Sequence, residues 1–213
     1  MATVIDAEMI LAQRQIVLAG KNSGDLMLEA AYLGLINVMR AFESNQYRID
    51  YVNGFGEGLL HFACKGSQDA MVDYLLKRGL DPNTQNNFKE TPIFIATEMG
   101  AKQALHTLYR DKRTKLDHSD KFGDTILHFA ARDGQLEVLE YILEQSTKLI
   151  NRENQEGKTP LHLAQEYGHS TCAQLLRDYN AQDKCGNRKL LIKALAEQLV
   201  NEPADFKRSL ISK

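Results

Sequence analysis

The sequence is poor in the residues that mark several common classes of protein. Its 213 residues include no tryptophan, four prolines and three cysteines. Cys64, Cys172 and Cys185 lie far apart, so they lack both the pairing of a disulfide framework and the Cys-x-x-Cys spacing of a zinc site. Free thiols are typical of a reducing compartment. We therefore predict a protein of such a compartment, with no bound metal.

Long apolar segments and an excess of charge are also missing. No apolar run approaches the ~18 residues that span a bilayer, so membrane insertion is not expected. The 26 Lys and Arg residues nearly balance the 28 Asp and Glu residues, which gives a formal net charge of −2. Chains that bind nucleic acid usually carry a basic excess, so no nucleic-acid partner is expected. The acidic opening from Met1 to Glu8 does not resemble a signal peptide, and we expect a cytoplasmic protein, with the nucleus as an alternative.

Motifs for catalysis or cofactor binding are absent from the sequence as well. It contains neither His-Glu-x-x-His nor Gly-x-Ser-x-Gly. The glycines of segment 54–58 do not fit the dinucleotide fingerprint, because the third glycine comes one residue early. The segment Gly157-Lys158-Thr159 lacks the earlier glycine of a P-loop, since Arg152 stands there. We predict a non-catalytic protein without a cofactor.

The sequence does contain an internal repeat. A six-residue segment recurs at intervals of 33, 34 and 34 residues, and a small residue follows each copy at the same distance. The copies lie at 58–63, 91–96, 125–130 and 159–164, with a weaker one at 25–30. A period of this length predicts a solenoid, in which units stack because none can bury its apolar face alone.

The last copy, Thr159-Pro160-Leu161-His162-Leu163-Ala164, matches the box Thr-Pro-Leu-His-x-Ala at every fixed place. On these residues the sequence resembles the ankyrin repeat family, over roughly residues 20–185. The resemblance implies an all-α ankyrin-repeat solenoid of about five helix-turn-helix units, joined by extended loops or short β-hairpins and closed by capping helices.

The expected organisation follows from the register of the repeat. We expect an N-terminal capping helix at 1–20, ankyrin repeats over 21–185, a C-terminal capping helix at 186–200 and a flexible tail at 201–213. The individual repeats are expected at approximately 21–52, 53–85, 86–119, 120–153 and 154–183. Apolar residues at helical spacing predict the two capping helices: Ile5, Met9, Ala12 and Ile16 in the first, and Leu191, Leu195 and Leu199 in the second.

The residues of the box have a local physical purpose. Thr91 and Thr159 are predicted N-caps, whose hydroxyls can accept hydrogen bonds from the free N–H groups of the first turn. Pro92 and Pro160 suit the first helical position, where a missing N–H costs nothing. Glycines nine residues after the start of each box predict left-handed helix ends: Gly100, Gly134 and Gly168. A second helix then follows, as the apolar stripe of Leu136, Leu139 and Leu143 indicates.

The unit that begins near residue 86 departs from the pattern. Lys89 stands where the other loops have glycine, and Phe94 replaces the histidine of the box. Its second helix runs into the basic stretch 110–115 without a terminal glycine. We expect this unit to deviate most from regular geometry, and we interpret the basic stretch as a solvated helix end.

Three histidines, His61, His128 and His162, recur at one position of the repeat. Successive units of a solenoid lie roughly 10 Å apart, close to the distance between packed helices, whereas metal ligands must converge within a few ångströms. We therefore do not expect a metal site here. The family resemblance implies instead that each imidazole hydrogen-bonds the backbone of the neighbouring loop.

A row of aromatic residues at the loop tips is the strongest candidate for a binding site. Phe55, Phe88 and Phe122 precede the loop-glycine position in three consecutive units. Aromatic residues are common anchors of protein interfaces, and apolar rows on a surface often mark them. The alternative is that each ring packs against the neighbouring loop and stiffens the array. Both interpretations remain open from the sequence.

The register also identifies further candidates on the concave face, where the family resemblance places partners. The predicted partner-binding residues beside the three phenylalanines are Tyr32, Met99, Arg132, Tyr167, Glu57, Glu90, Asp124 and Lys158. This mixture of charge with aromatic and methionine side chains suits a protein ligand better than a phosphate backbone.

The sequence therefore predicts a non-catalytic protein–protein interaction module, which acts as an adaptor or regulator on its concave face. One alternative is a dedicated assembly chaperone or inhibitor of one subunit of a larger complex. Another is a pathogen effector that engages host proteins. A monomer is favoured, and the identity of the partner is not encoded in any motif.

Overall fold

The computed structural model describes residues 22–182, which form ten helices arranged as five antiparallel pairs. In chain order they are α1 (Ser23–Tyr32), α2 (Ile36–Ser44), α3 (Leu59–Lys65), α4 (Asp69–Lys77), α5 (Pro92–Glu98), α6 (Lys102–Arg110), α7 (Ile126–Arg132), α8 (Leu136–Gln145), α9 (Pro160–Glu166) and α10 (Ser170–Asp178). The predicted capping helices at 1–20 and 186–200 and the tail at 201–213 lie outside the described residues.

The helices form two layers. The odd-numbered inner helices pack in sequence from α1 to α9, and each also contacts the outer helix of its own pair. One continuous apolar core runs between the layers, with residues such as Phe42, Leu75, Leu105 and Leu139 fully buried. The predicted all-α repeat solenoid is therefore confirmed, and in the described region the only β-type pairing is an isolated bridge between Val52 and Gly58.

Local sequence signals explain where most helices begin and end. Helices α5 and α9 start at Pro92 and Pro160, as predicted for that position. The glycines that follow the inner helices are left-handed, with φ of +62°, +67° and +78° at Gly100, Gly134 and Gly168. The stripe predicted for α8 is confirmed at its later positions but is wrong at its first residue, because Leu136 opens the helix and stays exposed.

The third pair, α5 and α6, keeps its loop regular despite Lys89. This lysine adopts φ of +63°, and its N–H donates to the Asn86 carbonyl at 2.9 Å, as a glycine does in the other loops. The irregularity lies instead after α6, where residues 111–115 turn back onto the preceding pair. Arg113 donates to the Leu76 carbonyl at 3.1 Å while its side chain remains exposed, so this residue of the basic stretch is solvated and also contacts the preceding pair.

Candidate functional site

Four loop tips of the solenoid share one construction, which begins at Asn53, Asn86, Asp120 and Asn154. In each, the side-chain oxygen of this residue accepts from the N–H groups two and four residues later, at 2.8–3.0 Å. Its own N–H donates to the carbonyl four residues on. The tight turn that results presents the side chain of its third residue at the tip.

In three tips the third residue is a phenylalanine, and its carbonyl joins the tip to the next unit. The Phe55 carbonyl accepts from Asn87 N–H at 2.9 Å, Phe88 accepts from Lys121 at 2.8 Å, and Phe122 accepts from Gln155 at 2.9 Å. Because the same bond repeats at each junction, the three phenylalanines lie in register along the array.

The side chains of this row remain largely outside the core. The exposed fraction is 63% for Phe55, 38% for Phe88 and 55% for Phe122. The Lys121 ammonium lies 3.8 Å from the ring centroid of Phe88 and 4.9 Å from that of Phe122. The backbone of the row is thus structural, while its rings stay partly open to solvent.

Three further predicted residues are exposed at the ends of inner helices. Tyr32 closes α1, and Met99 and Tyr167 follow α5 and α9 directly. Met99 and Tyr167 occupy the same position of the repeat, and Tyr32 lies one position earlier. Together with the phenylalanine row, they give the inner face of the solenoid a discontinuous set of large apolar side chains.

The predicted charged residues are already engaged within the chain. Glu57 pairs with Lys65 at 3.0 Å, and Lys158 pairs with two carboxylates, whose hydrogen bonds raise its pKa: Glu166 at 2.7 Å and Glu156 at 2.9 Å. Glu90 accepts from the Asn86 amide at 2.7 Å. Each of these side chains would exchange an internal partner for an external one on binding.

Arg132 and Asp124 are more deeply set than the sequence suggested. Arg132 is half-buried, pairs with Asp133 at 2.8 Å and lies 4.5 Å from the centroid of the Phe129 ring. Asp124 is buried, and its carboxylate accepts from the Asn154 amide of the next unit at 2.7 Å. The expectation that Asp124 lies on the open surface is therefore wrong, because this hydrogen bond holds two loops together.

Two carboxyl groups on or beside the inner face have raised pKa values. Burial, with the nearby carboxylate of Glu90, raises the pKa of Glu98 at the end of α5. Burial also raises the pKa of Asp120, as do the neighbouring charges of Asp124 and Glu90. In both groups burial is the largest cause of the shift, and neighbouring carboxylates add to it.

Two of the three box histidines, His61 and His128, behave as the family resemblance implied. His61 Nε2 lies 3.1 Å from the Glu90 carbonyl, and His128 Nε2 lies 3.0 Å from the Lys158 carbonyl, in each case in the next unit. In both rings Nδ1 accepts from the N–H of the residue before the helix, Gly58 and Thr125. These bonds require a neutral ring with the proton on Nε2.

Phe94 occupies the same position with different chemistry. Its ring is fully buried and meets the Phe129 ring edge to face at 5.3 Å. Without an imidazole beside it, the buried Thr91 hydroxyl has no hydrogen-bond partner, whereas Thr125 and Thr159 pair with ring nitrogens at 2.8 and 3.0 Å. The prediction of a side-chain N-cap at Thr91 is therefore wrong, and at Thr159 it is confirmed by a 3.4 Å bond from His162 N–H.

A second concavity lies between the connections that follow α2 and α4. It has a volume of about 540 Å³, and its apolar lining includes Ile49, Val52, Leu59 and Leu80. Within residues 22–182, no cluster of His, Cys, Asp and Glu could hold a metal ion. No helix of that region has the length and apolar character needed to cross a membrane.

Sequence reasoning missed two features of the inner face: the placement of Lys121 between two rings, and the buried carboxylates of Asp120 and Asp124. The first had a signal, since Lys121 follows Phe88 by one repeat length and stands next to Phe122. The second had a weaker one, because Asp120 replaces the asparagine that the other three tips use.

The geometry described above is that of a helical repeat solenoid. Comparison with known proteins agrees with it. Two models of ankyrin repeats match the chain, one over residues 60–108 and the other over residues 108–188, which together span more than half of it. The chain belongs to the ankyrin repeat family, whose arrays are protein–protein interaction modules and are typically non-catalytic.

Relatives of the chain include several large proteins with ankyrin repeats. It is 29% identical to a Transient receptor potential cation channel subfamily A member 1 homolog of Caenorhabditis elegans, over 56% of this chain and 10% of the relative. It is 26% identical to a Probable E3 ubiquitin-protein ligase XBOS32 of Oryza sativa subsp. japonica, over 75% of this chain and 38% of the relative. It is also 26% identical to a Nuclear factor NF-kappa-B p105 subunit of Rattus norvegicus, over 79% of this chain and 18% of the relative. The chain thus spans less than two-fifths of the length of each of these relatives.

Proposed function

We propose that this chain is an adaptor or regulator that binds a partner protein on its concave face, with Phe55, Phe88 and Phe122 as the anchors of the interface. The observation that carries the proposal is the exposed, evenly spaced row itself, whose rings are 38–63% open to solvent. Exposed aromatic rings on a rigid scaffold bury a large area on binding and lose little side-chain entropy.

The rigidity of the tips supports this role. Each ring stands on a turn closed by an Asn or Asp side chain and tied to the next tip through its own carbonyl. A partner that spans two or three tips therefore meets side chains whose spacing is already fixed. Tyr32, Met99 and Tyr167 would extend the contact toward the inner helices, and the paired charges of Glu57, Glu90, Arg132 and Lys158 would surround it as a polar rim.

The proposed activity is binding without catalysis, and the module acts as a monomer. Near-balanced charge, with a formal net charge of −2, supports a protein partner over a nucleic acid. Asp124 is not among the proposed contacts, because its carboxylate is buried against Asn154.

Affinity capture from an extract of the cell that makes this protein tests the proposal. The baits are the wild-type chain, a Phe55→Ala/Phe88→Ala/Phe122→Ala variant, and a Leu136→Ala variant that removes an exposed apolar side chain outside the face. Truncation of an anchoring ring typically costs more than about 2 kcal/mol of binding free energy. We expect one partner, identified by mass spectrometry, to be retained by the Leu136 variant and lost by the triple variant.

Thermal melting of all three baits separates a binding defect from a folding defect. Because the rings contribute little to the core, we expect the melting temperature of the triple variant to stay close to that of the wild type. Capture of the same partner in equal yield by the triple variant would refute the proposed role of the row.

A further inference from the structure

Lys121 is the one cation of the loop tips that is held between two rings in the described region. Its backbone N–H donates to the Phe88 carbonyl at 2.8 Å, and its carbonyl accepts from the Gln155 side chain at 2.9 Å. Its ammonium lies over the Phe88 ring at 3.8 Å and near the Phe122 ring at 4.9 Å. Two aromatic contacts therefore hold the charge at a defined place on the surface.

No described carboxylate forms an ion pair with this ammonium, and the same is true of Lys89 at the preceding tip. Other lysines of the same face are neutralised locally: Lys65 by Glu57, and Lys158 by two glutamates. Aromatic rings orient a cation but do not cancel its charge. The rim of loop tips thus keeps an uncompensated positive charge beside its exposed rings.

Two carboxylates lie deeper on the same face. Glu90 and Glu98 lie toward the inner helices, where burial and, after it, the Glu90 carboxylate raise the pKa of Glu98, while Arg132 and Lys65 act to lower it. The loop tips thus carry the Lys121 ammonium, while Glu90 and Glu98 add carboxylates nearer the inner helices. A bound segment that carries charge has one favourable orientation across it.

We propose that the partner places a carboxylate side chain, from aspartate or glutamate, against the Lys121 ammonium, and that apolar side chains flanking this carboxylate pack on Phe88 and Phe122. The inference rests on the proposed function, since it names the chemistry of the segment that the phenylalanine row binds. One acidic residue fits this site better than an acidic run, because further carboxylates would approach Glu90 and Glu98 and be repelled.

The energetic argument is preorganisation. A free lysine side chain loses rotamer entropy when it forms an ion pair, and this loss cancels much of the gain at exposed sites. The two rings already restrict Lys121, so a partner carboxylate meets an ordered ammonium. The apolar flanks of the same segment would shield the pair from water and strengthen it further.

Selection from a phage-displayed random dodecamer library tests this proposal and does not require that the partner be identified. The baits are the wild-type chain, Lys121→Met, Lys112→Met and the triple phenylalanine variant. Methionine keeps an unbranched apolar chain between the rings while removing the charge, and Lys112 is an exposed lysine of the turn after α6, away from the tips. Melting curves confirm that each bait is folded.

We expect the wild type and Lys112→Met to enrich peptides with one acidic residue beside aromatic or aliphatic ones, and Lys121→Met to lose the acidic preference. For the best wild-type peptide, fluorescence anisotropy should give a Kd about five- to tenfold weaker with Lys121→Met and unchanged with Lys112→Met. Raising salt from about 50 to about 500 mM should weaken the wild type more than Lys121→Met.

Two outcomes overturn the inference: a wild-type selection that enriches no acidic peptides, or an acidic preference that survives in Lys121→Met. The triple variant tests the proposed function separately. If it enriches the same peptides as the wild type, the phenylalanine row is not the binding site. If the row is required but the selected peptides lack a carboxylate, the proposed function stands and the role of Lys121 is refuted.

Discussion

The third and fourth helix pairs of the solenoid use different chemistry at the same position of the repeat. In the fourth pair, His128 bonds the Lys158 carbonyl of the next unit and accepts from Thr125 N–H in its own. In the third, Phe94 packs against Phe129 and leaves the Thr91 hydroxyl without a partner. A junction between units can thus be held by directed polar bonds or by apolar contact, and only the polar form responds to pH.

The largest loss of stability is expected when the Phe94 ring is removed from the apolar junction between the third and fourth pairs. Phe94→Ala removes a fully buried ring at the centre of the array and should lower the free energy of unfolding by about 3–5 kcal/mol. Chemical denaturation monitored by circular dichroism measures this. Phe122→Ala, which removes an exposed ring of the same size, serves as the control and should cost less than about 1 kcal/mol. Equal losses in the two variants would contradict the distinction between core and tip.

Converting the polar junction into an apolar one should cost somewhat less. His128→Phe gives the fourth pair the side chain of the third, but it leaves the Lys158 carbonyl and the Thr125 N–H without their bonds. We expect a loss of about 2–3 kcal/mol in the same denaturation experiment. A stability equal to that of the wild type would show that aromatic packing alone can hold this junction.

The pH dependence of stability separates the two junctions in a different way. Burial lowers the pKa of His61 and of His128 from the ordinary value of 6.5. Because the neutral ring is favoured in the folded state, their contribution is complete above pH 6.5 and is lost as the pH falls below it. Protonation ends only the Nδ1 bond, so the effect should be smaller than that of His128→Phe. Denaturation midpoints between pH 7.5 and pH 5 should fall less steeply in His128→Phe; parallel curves would contradict this assignment.

A matched pair of threonine substitutions sharpens the comparison. Thr125→Val removes a hydroxyl that pairs with His128 at 2.8 Å, and should cost about 1 kcal/mol. Thr91→Val removes a buried hydroxyl with no partner, and should be neutral or stabilise by up to about 1 kcal/mol. Thermal melting of the two variants distinguishes them. Equal destabilisation would show that the Thr91 hydroxyl does contribute a bond.

The smallest effect is expected in the loop before the polar junction. Asp120→Asn restores the residue used by the other three tips and removes a carboxylate whose pKa is raised by burial, Asp124 and Glu90. A raised pKa means that ionisation costs folding energy at neutral pH, so the variant should be more stable by about 0.5–1 kcal/mol at pH 7. The gain should shrink toward pH 4, where the wild-type carboxyl binds its proton. A loss of stability at pH 7 would contradict the conclusion that ionisation of the buried Asp120 carboxyl is unfavourable.

Much of the fold could be predicted because the repeat period, the proline positions and the helix-ending glycines are local signals that recur in register. The substitution of Lys89 for glycine was also visible, but its consequence was not. The backbone keeps φ of +63° there because the hydrogen bonds of Asn86 to Phe88 and Glu90 close the turn. The backbone preference of lysine predicted an irregular loop, but the hydrogen bonds of the Asn86 side chain keep the turn regular.

The candidate site was also predictable only in part from the sequence. The register identified Phe55, Phe88 and Phe122 and their order along the array. It did not reveal that Asp124 is buried, that Arg132 is paired with Asp133, or that Lys121 lies between two rings. Most of these facts depend on contacts between neighbouring units, which the pattern within one unit does not contain.

The sequence by itself determined the helical repeat, its register and the row of aromatic residues, since each follows from the periodic spacing of a few side chains. Only the tertiary structure decided which of those side chains stay open and which are satisfied within the chain. The reason is physical: exposure and hydrogen bonding at a loop tip are set by the neighbouring unit, and stacking brings that neighbour into place. The position of the Lys121 ammonium between Phe88 and Phe122 is a product of that stacking.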